Sequence, residues 1–389
     1  MPRYGGPVWM TAVPETPRIG RVSRALPFWL SLGLVPLAVV AAMNGSWAIA
    51  LLPLCSWYLF TGLDYVFGQN AQNPDPDTPE DQLFWYRLIT LVWAPVQLVT
   101  IFGIMIYVVQ SGHLSGVEEW LLFAALGILS GTIGITYAHE LMHQRPELER
   151  WMADILLASV LYSHFRSEHL LVHHRYIGTP RDPVTARYGE SFYRFFPRVL
   201  RQSPVSSFKA ERAMLARKSL PWFHHTNPVW RYFALQAGFV LLAGLIGGWW
   251  GVFLFATQAF WAVFQLELVN YVEHYGMTRK HLGNGKYEHV LPRHSWNATQ
   301  QASNWLLINL QRHSDHHFKP NRRFPLLQTY DADEAPQLPF GYPMMTMIAL
   351  VPTAWRRVMN PKVKTWRVRY YPEIEDWTPY KKATNPMPR

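Results

Sequence analysis

The chain has 389 residues, 49% hydrophobic and 15% aromatic but only 16% charged, with a formal net charge of +10. Soluble domains usually carry about 25% charged residues, so the composition excludes an ordinary soluble globule. The single cysteine, Cys55, excludes an intramolecular disulfide and argues against thiolate metal ligation.

Residues 1–25 are Pro-rich and basic, with Arg18, Arg21 and Arg24, and read as a flexible N-terminal segment. Six apolar stretches then approach or exceed the roughly 20 residues needed to cross a hydrocarbon core: 26–43, 47–67, 88–109, 120–138, 232–246 and 249–271. The first is too long for a signal-peptide core and lacks a clear cleavage site, so it reads as a retained anchor. Four spans thus occupy 26–138, and two more occupy 232–271, joined by a tight turn at Gly247-Gly248. Residues 68–82 form an acidic loop with Asp75, Asp77, Glu80 and Asp81. Segments 139–231 and 272–389 are polar and form a cap; within it 152–162 and 344–351 are apolar but too short to span, and are expected to pack under the cap or lie at the interface.

No Lys or Arg occurs in 25–86, 88–144 or 232–278, so the connectors at 44–46, 110–119 and 247–248 carry none. An even number of spans then places every basic residue on one side of a membrane. By the positive-inside rule that side is the cytoplasm, with both termini there. This distribution accounts for the positive charge without nucleic acid. The expected fold is an all-α integral membrane protein of about six transmembrane helices under a cytoplasmic helical cap.

Nine of the sixteen histidines fall into four clusters: His139 and His143; His169, His173 and His174; His274; and His313, His316 and His317. On a helix, i and i+4 lie on one face, so His139 and His143 can reach one ion. His169 and His173 repeat that spacing, and His174 can turn to a second ion. A buried polar group without a partner costs roughly 2–7 kcal/mol, against a folding stability of about 5–15 kcal/mol. Something must therefore bind the rings. Nine nitrogens exceed the three or four protein ligands of one zinc, which implies two metals. Glu140, Glu168, Glu273 and Asp315 stand beside the clusters as candidate acceptors that fix imidazole tautomers. Glu267 and Asn270 share a helical face with His274, and an ionisable residue such as Glu267 at membrane depth is a functional candidate. Of the other seven histidines, His164 and His294 are the candidates for supporting roles. Taken alone, His139-Glu140-His143 also matches the H-E-x-x-H signature of zinc proteases, with Glu140 as base. Nitrogen ligands by themselves suit zinc or copper as well as iron.

The strings N-Y-V-E-H-Y-G at 270–276 and L-Q-R-H-S-D-H-H at 310–317, followed by Pro320 and Arg322-Arg323, resemble those of the integral-membrane alkane 1-monooxygenases. The resemblance runs from the first span to about Trp377. It implies two non-haem irons, with His139, His143, His169, His173, His174, His274, His313, His316 and His317 as ligands. It also implies terminal hydroxylation of medium- or long-chain n-alkanes with O2, and electrons from rubredoxin or ferredoxin through an NAD(P)H-dependent reductase. A bacterial cytoplasmic membrane is the implied location. Leu171-Val172 and Thr136-Tyr137 stand where many members carry other residues.

An alkane partitions into the bilayer, so a tunnel opening between spans and ending at the histidines is expected. Trp57, Thr61 and Asp64, at i, i+4 and i+7 on the second span, are candidates for its wall, with Trp57 as floor. The chain has neither the four cysteines of an iron–sulfur cluster nor a flavin fingerprint, so electrons come from outside. Arg194, Arg198, Arg201, Lys209, Arg212, Arg217 and Lys218 offer a basic surface for an acidic carrier. The alternatives are a fatty-acyl desaturase or hydroxylase of the same metal type and, in a different class, the membrane zinc protease.

Overall fold

The computed structural model describes residues 20–378 and Tyr380; most of the N-terminal segment expected to be flexible, residues 1–19, lies outside the described residues. Helices α1 (Val22–Asn44), α2 (Ser46–Phe67), α3 (Glu80–Ser111) and α4 (Gly116–Met142) are each long and apolar enough to cross a membrane. After them come α5 (Glu147–Ala158), α6 (165–176) and α7 (Phe192–Arg217). A fifth membrane-capable helix, α8 (Val229–His274), follows.

Helix α8 is two spans. At Gly247 (φ −129°) and Gly248 (φ 59°, ψ −146°) the backbone leaves helical geometry. A side chain at Gly251 would strike the Ala243 carbonyl, although a straight helix would hold these two residues about 12 Å apart. The chain therefore reverses at the glycine pair, which divides α8 into two apolar limbs where the sequence pattern places the turn. The rest of the described chain is small cap elements: strands β1 (His281–Gly283) and β2 (Lys286–Tyr287), and helices α9 (Gln301–Leu306), α10 (His313–Phe318), α11 (Tyr342–Ala349) and α12 (Pro352–Tyr370). The β1–β2 hairpin is a small departure from an all-α chain.

The three connectors without basic residues meet at one end of the bundle. Ser46 donates its backbone N–H to Glu118 Oε1 at 3.0 Å, and Ser115 with Glu118 forms a reciprocal cap on α4. Gly116 packs against Trp250, and Gly247 against Val109. The histidines sit at the opposite end, where α4 and α8 finish.

Helix α4 is the central element and is almost wholly buried. Gly127 and Gly131, four residues apart, let the second limb of α8 press its backbone against α4 at Gln258 and Ala262. Small residues permit this close approach, and dispersion rather than water exclusion holds such a contact inside lipid. Buried polar side chains add directional links. Gln97 accepts from Trp93 Nε1 at 2.9 Å and donates to Ser159 Oγ at 2.9 Å, while Gln258 donates to the Ser159 carbonyl at 3.0 Å.

Ion pairs fasten the cap to the spans. Arg323 meets Glu80 at 2.7 Å and the buried Glu149 at 2.9 Å, and Arg87 meets Glu149 at 2.7 Å. Asp154, also buried, holds Arg166 at 2.7 Å and Arg231 at 2.8 Å. Most of the apolar stretches at 152–162 and 344–351 falls on α5 and α11, each of which buries an apolar face.

Candidate metal centre

Four elements bring the nine rings together: the end of α4, helix α6, the end of α8 and α10. Their nitrogens form two sets. In His139, His143, His169 and His316 one nitrogen of each ring lies within 4.8 Å of the others, and the same holds for His173, His274, His313 and His317. His174 adjoins the first set, its Nε2 standing 2.9 Å from His169 Nε2 and 3.1 Å from His316 Nε2.

This sorting differs from the i, i+4 expectation at α6. His169–His173 is a π segment, and the His174 N–H bonds the His169 carbonyl five residues back. On an α-helix residues i and i+5 point roughly 140° apart; the wider π turn brings residue i+5 back over i. His169 and His174 therefore share one set while His173 turns to the other. On α10 the α-helical rule holds: His313 and His317 go together and His316 faces the first set.

The spacing tests whether these residues fit a metal. His143, His169, His174 and His316 form a run of Nε2 atoms at 3.1, 2.9 and 3.1 Å. A neutral imidazole nitrogen has either one proton or one lone pair, so four such atoms in a row make at most two good hydrogen bonds. Nitrogens about 2.0–2.1 Å from one shared ion stand roughly 3 Å apart, which is the spacing observed. The Nε2 atoms of His139 and His173 are buried with no hydrogen-bond partner at all. The donor set fits nitrogen-ligated metal binding.

Electrostatics prepare the same outcome. Burial, with added repulsion from His173, pushes His143 down to about 3. Burial and neighbouring imidazoles hold His169, His174, His313, His316 and His317 well below the usual histidine range. These six rings are thus uncharged at neutral pH, each with one N–H and one free lone pair, the state in which histidine ligates.

The carboxylates divide. Glu273 Oε1 lies 3.4 Å from His313 Nδ1. Glu267 accepts from the Tyr162 hydroxyl at 2.9 Å and from Asn270 Nδ2 at 3.1 Å. Glu168 is buried with neither oxygen hydrogen-bonded, and burial followed by the nearby Asp182 and Glu267 raises it well above the carboxylate range. Glu140 accepts from Gln144 at 3.0 Å. Asp315 turns away into the cap, taking Arg322 at 2.7 Å and Tyr330 at 2.7 Å. Sequence adjacency missed Asp182, whose Oδ2 is 2.9 Å from His173 Nδ1. Of the two further histidines singled out, His164 is half-buried and desolvation lowers it to about 4; His294 bonds Tyr371 at 2.7 Å in the cap.

A pocket between the helices reaches both sets, touching His139, His169 and His313. It runs between α2, α4, the second limb of α8 and α11, and Trp57 and Ser56 form part of its wall. Thr61 and Asp64 line a separate pocket beside Gln69 and Gln300. Asp64 accepts from the Ser303 N–H at 2.9 Å and its hydroxyl at 2.6 Å, tying α2 to α9.

The family model described as "Fatty acid desaturase" matches residues 118–349, the stretch that holds all four histidine clusters. Among curated proteins, alkane 1-monooxygenase 2 of Pseudomonas aeruginosa is 36% identical over 94% of this chain and 93% of its own length. Alkane 1-monooxygenase 2 of Alcanivorax borkumensis is 36% identical over 88% of this chain and 90% of its own. Alkane 1-monooxygenase 1 of Pseudomonas aeruginosa is 39% identical over 78% and 80% respectively. The chain belongs to the fatty acid desaturase family and groups there with the alkane 1-monooxygenases, as a membrane oxidoreductase.

Proposed function

We propose that this protein hydroxylates the terminal methyl of medium- or long-chain n-alkanes, using O2 and two non-haem irons held by the nine histidines. His139, His143, His169, His174 and His316 would hold one iron, and His173, His274, His313 and His317 the other. The observation that carries the reading is the meeting of two nitrogen sets with one inter-helical cavity. When bound, the irons supply the O2 activation and C–H cleavage that no acid–base side chain provides for an alkane.

The protein's own tasks are positioning and dryness. Phe165, Leu266, Val269 and Leu310 offer the cavity an apolar wall, and an alkane has no polar group by which to be held. A narrow slot admits it end-first, so the methyl is the part that reaches the histidines. The arrangement of basic residues supports a bacterial cytoplasmic membrane with the cap and both termini inside. Electrons would come from rubredoxin or ferredoxin with its NAD(P)H-dependent reductase. The protease reading is weakened because Glu140 is engaged by Gln144 and lies outside the cavity wall.

The test is metal quantification on the purified protein, together with product analysis after adding O2, reduced carrier and either n-alkane or fatty acid. A 1-alkanol with about two irons per chain is expected. Desaturated or hydroxylated acyl product alone would favour the desaturase alternative, and zinc without iron would revive the protease.

A further inference from the structure

Among the described residues, two carboxylates reach a ring nitrogen of the nine histidines within 3.5 Å: Glu273, at 3.4 Å from His313, and Asp182, at 2.9 Å from His173. Asp182 is 3% exposed. Its Oδ2 also accepts from the Thr185 hydroxyl at 2.6 Å and its Oδ1 from the Val184 N–H at 3.0 Å. The Thr185 hydroxyl in turn accepts from the Gly178 N–H at 2.9 Å. The loop that carries Asp182 is braced from outside. Arg279 donates its backbone N–H to the Gly178 carbonyl at 2.8 Å, and its Nη1 reaches the carbonyls of Arg175 at 2.9 Å and Ile177 at 3.3 Å. The carboxylate is thus fixed before the histidine meets it.

We propose that Asp182 is a positioning residue for the second histidine set, holding the proton of His173 on Nδ1 so that the Nε2 lone pair faces the metal. The inference rests on the metal reading above. A carboxylate accepts and never donates when ionised, so its contact with Nδ1 selects one tautomer. The opposite nitrogen, Nε2, is the buried atom without a partner, and the ring packs 4.6 Å from His274 and 4.8 Å from His317. The charge on Asp182 also makes His173 a stronger donor. His274 Nδ1 and His317 Nδ1 have no hydrogen-bond partner, so His173 is the firmly oriented ring on which that set is built.

The experiment uses full-length protein in detergent, loaded with ⁵⁷Fe. Losing such an outer partner lowers metal affinity by about 10- to 100-fold. Asp182→Asn is therefore expected to hold about one iron per chain at concentrations where the unsubstituted protein holds two. Its Mössbauer spectrum should lose one component and keep the other, and Asp182→Glu should restore most of the lost iron. In a His173→Asn background, adding Asp182→Asn should cause no further loss of iron, because the only ring it serves is already gone, although the lost Thr185 contact can still lower the thermal midpoint. Two irons with an unchanged spectrum in Asp182→Asn would overturn the inference, as would a further loss in the His173→Asn background, which would mark a role in the loop alone. Absence of iron from the unsubstituted protein would instead sink the metal reading itself.

Discussion

The contact between α4 and the second limb of α8 fixes one histidine set against the other, and Gly131→Ala tests it. A Cβ at Gly131 would stand 2.5 Å from the Ala262 carbonyl oxygen and 2.8 Å from Gln265 Cβ, where ordinary contact begins at 3.4 Å. The two helices must separate by about 0.9 Å, the difference between 2.5 and 3.4 Å. Overpacking of this kind costs about 1–3 kcal/mol. Because α4 ends in His139 and His143 while α8 ends in His274, the shift displaces one histidine set relative to the other. A misplacement of about 1 Å can cost on the order of 10²-fold in rate. Gly103→Ala is the control: that glycine is exposed on α3 and nothing lies within 4 Å of the added methyl, so only a helix-propensity gain of up to about 1 kcal/mol remains. Thermal midpoint in detergent and alkane turnover are the readouts. If Gly131→Ala matched Gly103→Ala in both, the close approach would not be what aligns the sets.

Trp57→Ser should open the cavity wall and move the preferred substrate to longer chains. Each extra methylene buried contributes about 0.8 kcal/mol, or about fourfold in kcat/KM; an unchanged chain-length profile would refute the role of Trp57. Metal-free protein should lose stability as pH falls from about 6.5. The folded histidines are depressed, His143 to about 3, so below 6.5 the unfolded chain binds more protons and unfolding becomes more favourable down to the folded value. A thermal midpoint flat between pH 7 and about 5 would contradict this. Arg194, Arg201, Lys209, Arg212, Arg217 and Lys218 are exposed on and just after α7, whereas Arg198 is engaged by Glu190 at 2.8 Å. If they steer an acidic carrier, its kcat/KM should fall several-fold as salt rises from about 0.01 to 0.1 M and the Debye length shortens from about 30 to 10 Å. Carrier kinetics that ignored salt would argue against docking by charge.

The spans were legible because a membrane crossing needs a long apolar run and because Lys and Arg avoid one side. Even the reversal within α8 was written as Gly247-Gly248. The gathering of nine histidines was legible in their spacing, but their sorting was not. Spacing assumes 3.6 residues per turn, and the π segment at His169–His173 breaks that count. A second π segment, Cys55–Leu59, likewise interrupts the count between Trp57 and Asp64, and Thr61 and Asp64 line a pocket apart from the one Trp57 lines. Adjacency in sequence is a poor guide to supporting carboxylates, since a residue next to a ligand on a helix points about 100° from it. Asp315 accordingly faces the cap, while Asp182 reaches His173 through a tight loop.

These local irregularities converge on one place. The three π segments among the described residues are Cys55–Leu59, Ser130–Ile135 and His169–His173. Each contributes to the cavity wall: Ser56 and Trp57 from the first, Gly131, Thr132 and Ile135 from the second, and His169 from the third. A π turn inserts one residue, weakens the local hydrogen-bond ladder and widens the helix, so it is a cost that a merely structural span would avoid. In return it leaves space beside the helix and re-aims the side chains that follow. Here the space is the cavity, and the re-aimed groups include Trp57, His139 and His174. Six regular helices packed at the same density would close that space and send His169 and His174 to different faces. The irregularities therefore coincide with the wall of the pocket that touches both histidine sets, which is where the proposed function needs a substrate to enter.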